Sequence, residues 1–260
     1  MIYAIGDIHG QKDMLDQALA RITADGGPDA EVVFLGDYTD RGPQSRAVVD
    51  TLISGQAEGR NWHFIKGNHD RFFTTYVRTG RGHDPRVASG IHWLNPRLGG
   101  TNTLASYGLL RDTHFAPHTR GELEEFIHSG DGTTRMDASA YHAAAQAAVP
   151  QAHLDFLDSL PLTHLTDDLL FVHAGLKPQV DLALQDPEDL LWIRDGFLDS
   201  THDFGRLVVH GHTALDYPQH FGNRIDLDGG AGYDRPLIPA VFEGRNCWLL
   251  TDQGRVPLQP

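Results

Sequence analysis

Three short apolar runs, at 2–5, 32–35 and 62–65, each stop within two residues at a glycine followed by an oxygen-bearing side chain: Gly6-Asp7, Gly36-Asp37 and Gly67-Asn68. Runs of this length, bounded by glycine and polar residues, read as buried strands. Between them Met14, Leu15, Ala18, Leu19 and Ile22 share one helical face, as do Val48, Val49, Leu52 and Ile53. Pro43 sits just ahead of the second helix, where its fixed φ is tolerated. Strand, helix and strand recurring at about thirty residues is the size of a βαβ unit, so Asp7, Asp37 and Asn68 fall at equivalent strand ends.

The polar segments that follow the apolar runs are longer than a turn needs. They read Gly6-Asp7-Ile8-His9-Gly10, Gly36-Asp37-Tyr38-Thr39-Asp40-Arg41-Gly42 and Gly67-Asn68-His69-Asp70, with His173-Ala174-Gly175 and His210-Gly211-His212 behind two later runs. One Gly-Asp alone would be ordinary turn chemistry. Five ordered motifs place carboxylates, imidazoles and an amide where a sheet can converge them. Such a donor set without thiolate suits Mn²⁺, Fe or Zn²⁺ rather than an iron–sulfur or structural zinc site.

From 72 to about 150 the pattern changes to Gly-, His- and Arg-rich loops with helical stretches at 120–128 and 136–149, which read as a helical insertion beside the site. Pro150 starts a further helix to Leu160. Strand-like segments return at 169–172, 207–209, 224–227, 239–242 and 247–250. Without long helices after Gly205, the last of these predict a mostly antiparallel second sheet. The expected fold is α/β: two packed mixed β-sheets flanked by helices, one domain over 1–260 with the insertion at about 72–150.

With 260 residues and 40% hydrophobic content the chain can bury one sizeable core. A formal net charge of −14 argues against a general nucleic-acid or anionic-membrane surface, while leaving room for a local basic pocket. Lone Cys247 excludes an internal disulfide and fits a reducing compartment. Residues 1–5 lead directly into the first motif, leaving no room for a signal peptide, and no apolar run is long enough to span a bilayer. A cytoplasmic location is expected; the sequence leaves the oligomeric state open.

The five motifs resemble the phosphoprotein-phosphatase branch of the calcineurin-like metallophosphoesterases, whose signature runs GDxHG, GDxxDRG, GNHE, HAG and a late GH. The chain is similar there to bacterial and phage serine/threonine phosphatases and to diadenosine-tetraphosphate hydrolases. The resemblance implies the sandwich fold and two divalent ions, Mn²⁺ first, with Fe and Zn²⁺ as alternatives. It makes Asp7 and His9 ligands of the first ion, Asp37 the bridging carboxylate, and Asn68, His173 and His212 ligands of the second. A bridging carboxylate offsets repulsion between two cations about 3.5–4 Å apart, and neutral Asn keeps them Lewis acidic, so that a bridging water serves as nucleophile. Arg41 and Arg194 are implied phosphate clamps, guanidinium forks matching phosphate oxygens; the plain alternative for Arg194 is a surface ion pair with Asp195. His69 is implied as general acid and Asp40 as the carboxylate that raises its pKa and fixes its tautomer.

Asp40-Arg41 points toward the protein phosphatases, whereas Asp70, standing where Glu is usual, points toward the nucleotide hydrolases. Asp70 supports its loop or caps the helix beginning near Arg71. His210 reads as directed the same way along a strand as His212, and Ala214 departs from the wider GHxH pattern. Trp93, Gly99-Gly100 and Tyr107 contact substrate or pack the insertion, and Gly229-Gly230-Ala231-Gly232-Tyr233 reads first as a tight sheet connection. The implied activity is that of a dinuclear-metal phosphoesterase acting on phosphorylated protein or small phosphoesters. The alternatives are hydrolysis of dinucleoside polyphosphates and an inactive scaffold, the latter disfavoured because every implied ligand, both arginines and the acid are present.

Overall fold

The computed structural model describes residues 1–109, 127–128, 135–136 and 138–260. The chain begins β1 (Ile2–Ile5), α1 (Lys12–Gly26), β2 (Val32–Phe34), α2 (Ser45–Ala57), β3 (Trp62–Phe64) and α3 (Asn68–Thr79). The insertion carries α4 (Gly100–Ser106), β4 (Ile127–His128), β5 (Arg135–Met136) and α5 (Ala138–Ala148). Then come α6 (Gln151–Ser159), β6 (Thr163–Leu165), β7 (Leu169–Val172), α7 (Pro187–Trp192), β8 (Leu207–His210), β9 (Gln219–His220), β10 (Arg224–Asp226), β11 (Ala240–Glu243), β12 (Asn246–Thr251) and β13 (Gly254–Leu258).

Period-two alternation explains the layers. Ile2 and Ala4 of β1 face inward with Val33, Phe171, Val209, Ile225, Ala240 and Phe242, forming the core between two sheets. Tyr3 and Ile5 face the other way, onto Leu15, Ala18 and Ile22 of α1 and Val48, Val49 and Leu52 of α2. The outer face of the second sheet, with Leu170, Val172 and Val208, is covered by Leu176, Leu190 and Phe197. Two sheets packed face to face and flanked by helices are what the sequence predicts.

Which strands join which sheet differs from expectation. The first sheet runs β13-β12-β11-β1-β2-β3 and the second β6-β7-β8-β10-β9. The late strands β11, β12 and β13 are antiparallel, but they extend the first sheet, because β1 has an edge left free by β2 and β11 occupies it, Ile2 opposite Phe242. In the second sheet β7, β8 and β10 are parallel, with antiparallel strands only at its edges. The β8–β10 connection, 211–223, is the dozen or so residues a parallel crossover needs, and it achieves this without a helix.

In the insertion, α5 starts at Ala138 and Met136 belongs to β5. The helix expected at 120–128 is contradicted at 127–128, which pair as β4; residues 120–126 lie outside the described residues. Pro150 is the residue before α6, where its φ of −60° and extended ψ turn the chain into the helix. No helix among the described residues is long and apolar enough to cross a membrane.

Parallel register fixes the site. Ile5, Phe34 and Phe64 are level across β1–β3, as are Phe171, Val209 and Ile225 across β7, β8 and β10. The residues just beyond them therefore meet at one end of the sandwich, the carboxyl ends of the parallel strands.

Candidate metal centre

All of Asp7, His9, Asp37, Asp40, Asn68, His69, His173 and His212 are buried at this end. They reach it by unusual backbone. Seven non-glycine residues among those described adopt left-handed φ, and five are His9, Asp37, Asp40, Arg41 and His212. Such conformations cost of order 1–3 kcal/mol each and persist only where the surroundings over-determine them. The surroundings here are close: a Cβ on Gly67 would lie 2.1 Å from the Asp37 carboxylate, and one on Gly211 2.1 Å from that of Asp7. The two hinge glycines let the strand ends touch.

Hydrogen bonds then fix the tautomers. The Nδ1–H of His9 donates to the Thr39 carbonyl (2.8 Å) and that of His173 to the Leu35 carbonyl (2.8 Å), leaving each Nε2 lone pair facing inward. Burial, reinforced at His9 by Arg41, pushes His9 well below its ordinary value; burial takes His173 to about 3 and His212 far down, so the rings stay neutral. The His173 lone pair faces acceptors, and that of His9 faces two carboxylates as well as the Arg41 guanidinium. Asp37 presents Oδ1 to His173 Nε2 at 3.4 Å and Oδ2 to His9 Nε2 at 3.6 Å, and Asp7 Oδ2 lies 3.8 Å from the same His9 atom. Asn68 Oδ1 lies 2.8 Å from both His173 Nε2 and His212 Nδ1.

Burial first, then the like charges of Asp228 and Asp37, push Asp7 well above the usual carboxylate range; burial and then Asp70 do the same to Asp37. The carboxylate oxygens and imidazole nitrogens standing 3.4 to 3.8 Å apart have the spacing of ligands around a shared cation. Two groups could each hold a cation, His9 with Asp37 and His69, and Asp37 with His173 and His212; the first differs from the expected ligand set in containing His69 in place of Asp7, whose Oδ2 lies 3.8 Å from His9 Nε2.

Beside the centre, His69 Nδ1–H donates to Asp40 Oδ2 at 2.7 Å. Asp40 is gripped in turn: Trp93 Nε1–H donates to Oδ2 (2.8 Å) and Thr103 Oγ1–H to Oδ1 (2.7 Å). Burial lowers the His69 pKa and the Asp40 bond opposes it, so burial outweighs the carboxylate and the raised pKa expected from the sequence is reversed. Arg41 Nη1 donates to His9 Nε2 (2.9 Å), Nη2 lies 3.4 Å from His69 Nε2, and its guanidinium stands 4.7 Å from the centre of the Tyr233 ring.

A match to the description Calcineurin-like phosphoesterase covers residues 1–235, which includes every motif just described. The chain belongs to the calcineurin-like phosphoesterases. It is 28% identical over 181 residues to a symmetrical bis(5'-nucleosyl)-tetraphosphatase of Janthinobacterium sp. (strain Marseille), covering 70% of this chain and 46% of that one. It is 26% identical over 245 residues to the PP2A-like serine/threonine-protein phosphatase PPG1 of Saccharomyces cerevisiae, covering 89% and 49%. The chain thus spans about half the length of these two relatives. A solved cold-active protein-tyrosine phosphatase of a psychrophilic Shewanella shares the fold, with TM-score 0.58 and 15% identity over 99% of this chain and 80% of that one.

Within this calcineurin-like site the second arginine is less central than the first. Arg194 Nη2 donates to the His212 carbonyl at 3.1 Å, its side chain lining a groove of about 600 Å³ that also holds Arg86, Lys177 and Trp192. His210 points away from the centre: its Nδ1–H donates to the Gly211 carbonyl, Arg224 Nη1 donates to its Nε2 (3.1 Å), and its ring meets Phe197. The shared direction with His212 fails because His212 has left the strand and turned left-handed. Asp70 supports its loop, accepting from the Tyr38 N–H beside Asp37, but α3 begins at Asn68 rather than near Arg71, so Asp70 lies inside its first turn and accepts from the N–H of the cap residue Gly67.

Trp93 and the Gly99-Gly100 pair pack the insertion against the site rather than line it. Gly99 allows the chain within 2.1 Å of Arg41 N at its Cβ position, and Gly100 lies on the Trp93 ring. Tyr107 is buried, its hydroxyl on His153 Nδ1 (2.9 Å). The turn 229–233 does border the site, since a Cβ on Gly232 would meet the His9 ring at 2.6 Å. The sequence reading missed Thr103 and the pair Asp226 and Asp228, both buried with an unpartnered Oδ2. Their signal was present: 225–229, Ile-Asp-Leu-Asp-Gly, is one more apolar segment closing on Asp-Gly.

Proposed function

We propose that this calcineurin-like phosphoesterase is a dinuclear-metal phosphomonoesterase acting on phosphoserine, phosphothreonine or small phosphoesters. The observation that carries it is Asp37, whose two oxygens face the donor groups of both candidate metal positions at 3.4 and 3.6 Å. Asp7 and His9 would hold one ion, Asn68, His173 and His212 the other, and Asp37 both. Two Mn²⁺ ions, or Fe or Zn²⁺, would supply Lewis acidity toward phosphate oxygens and acidify water toward neutrality.

The chain's own residues supply the rest. Arg41, already between His9 and His69, holds a phosphate oxygen with its fork, and Arg194 approaches from the groove side. His69 delivers a proton from Nε2 to the leaving alkoxide, while Asp40 holds the opposite ring nitrogen and Trp93 and Thr103 hold Asp40. The Asp40 contact favours the protonated ring against the effect of burial, which is what a proton donor to a poor leaving group needs. The chain is read as one domain with residues 72–150 as an insertion supplying Trp93 and Thr103. The buried single thiol, Cys247, fits a cytoplasmic setting.

Hydrolysis of dinucleoside polyphosphates is the second reading: the groove beside Arg194 offers Lys177, Arg86 and an indole to a longer polyanion, although Asp189 and Asp195 also line it and Arg86 stands 3.8 Å from Asp189. The bis(5'-nucleosyl)-tetraphosphatase relative supports it. Mn²⁺-supplemented assays on a phosphoserine peptide, para-nitrophenyl phosphate and diadenosine tetraphosphate decide. Faster turnover of the peptide at equal concentration supports the first reading, faster turnover of the dinucleotide the second, and no turnover of any of the three contradicts both.

A further inference from the structure

Away from the catalytic end, the open edges of the two sheets face each other where β3 of the first meets β6 of the second. Glu31, just ahead of β2, His63 on β3 and His164 on β6 come together there, their ligand atoms all within 4.8 Å of one another. His63 Nε2 lies 3.1 Å from Glu31 Oε1, and the His63 and His164 rings stack with centroids 4.2 Å apart. Each residue stands on fixed backbone. The Glu31 carbonyl accepts from Tyr3 N–H, His63 is in register with Val33, and His164 is opposite Phe171 of the inter-sheet core.

We infer that Glu31, His63 and His164 form a separate divalent-cation site, suited to Zn²⁺, that clips the edges of the two sheets together. Two imidazoles and one carboxylate are a set zinc takes with water completing a tetrahedron. Ligand atoms around zinc stand about 3.4 Å apart when the bonds are about 2.1 Å. The His63–Glu31 pair, at 3.1 Å, is close to that spacing, and the His164 ligand atom lies within 4.8 Å of both. The side chains of His63 and Glu31 are 34% and 36% exposed, so an ion can enter from solvent while Phe171, 5.9 Å from the His164 ring centre, closes the inner side. Burial lowers the His164 pKa, aided by His63 and opposed by Glu31, which keeps a neutral ring available as a ligand. Zinc outbinds Mn²⁺ at mixed imidazole and carboxylate donors, the catalytic centre included, so this site is counted as an equivalent beyond those held at the catalytic end.

The test counts zinc in chelator-stripped, full-length protein after dialysis against Zn²⁺. His63→Gln/His164→Gln is expected to bind one equivalent fewer than the unsubstituted chain, to lose part of the zinc-induced rise in Tm, and to hydrolyse para-nitrophenyl phosphate unchanged with Mn²⁺. Glu31→Gln, a half-exposed single change, serves where the double variant fails to fold, and should weaken the extra equivalent at least tenfold. Repeating the count in an Asp37→Asn background keeps the result independent of the catalytic centre, since the one-equivalent difference must survive there. Equal zinc content and equal Tm shifts across these variants overturn the site and leave an ion pair with a stacked ring.

Discussion

The space between the sheets and the end of the sandwich are built from the same strands by opposite rules. Between the sheets, Ile2, Ala4, Phe171, Val209, Ile225 and Phe242 alternate regularly, bury apolar surface and leave no polar atom to satisfy. A few residues further along the same strands, Asp7, Asp37, Asp226 and Asp228 are buried with like charges for neighbours, and His9, Asp37 and His212 are left-handed. The core stabilises; the strand ends are held in place by it and stay costly until a cation neutralises them. The difference teaches that this site is preorganised by the scaffold rather than assembled by its own attractions.

Substitutions in the two regions should therefore separate stability from activity. Asp37→Asn should remove activity, by at least about 10²–10³-fold, as expected for loss of a preorganised electrostatic element. The same change should leave the chelated protein as stable as the parent or more so, because it deletes one buried like charge. Phe171→Ala should do the reverse, costing about 3–5 kcal/mol in urea unfolding while the folded fraction keeps its turnover. Loss of stability in chelated Asp37→Asn would break the comparison.

Next in size is His69→Asn, with a loss of roughly 10²–10⁴ on phosphoserine peptide and a much smaller one on para-nitrophenyl phosphate, whose leaving group needs no proton. Kinetics on both substrates check it, and equal losses would move His69 from proton donor to positioning. Arg41→Ala should raise KM and lower kcat together, since the fork holds the ground-state phosphate and binds the charge of the transition state more strongly. Trp93→Phe sharpens the picture from the insertion side: it removes one donor to the Asp40 carboxylate, worth about 1.5–3 kcal/mol at most, and should lower kcat on the peptide with KM and metal content unchanged.

The smallest effect is on pH. Burial raises Asp70 from 3.8 to about 6, and Asp7 and Asp37 move the same way. The native state of the chelated protein then binds more protons than the unfolded chain between those values. Its stability is greatest below about pH 4 for these groups and is lost as pH rises through about 6. Urea midpoints of chelated protein across that window should fall, and added Mn²⁺ should reverse the fall.

Much of this was legible in the chain. Asp7, Asp37 and Asn68 after their glycines announced the level ends of the parallel strands, and the apolar helical faces of Met14 to Ile22 and Val48 to Ile53 announced the flanking layer. What could not be read has physical reasons. Sheet membership of β11–β13 depends on which edge is free, a tertiary fact that no local pattern carries. The direction of His212 relative to His210 depends on one left-handed residue. Trp93 and Thr103 reach Asp40 from more than fifty residues away, and the net lowering of His69 depends on how completely that contact is buried.

The central claim is that Asp37 serves two cations at once. Manganese content of equilibrium-dialysed unsubstituted protein, Asp37→Asn and Asn68→Ala tests it directly. The account predicts two ions per chain in the unsubstituted protein, a larger loss in Asp37→Asn than in Asn68→Ala, and weakened binding at both positions in Asp37→Asn. Two ions retained in Asp37→Asn at undiminished affinity would contradict it.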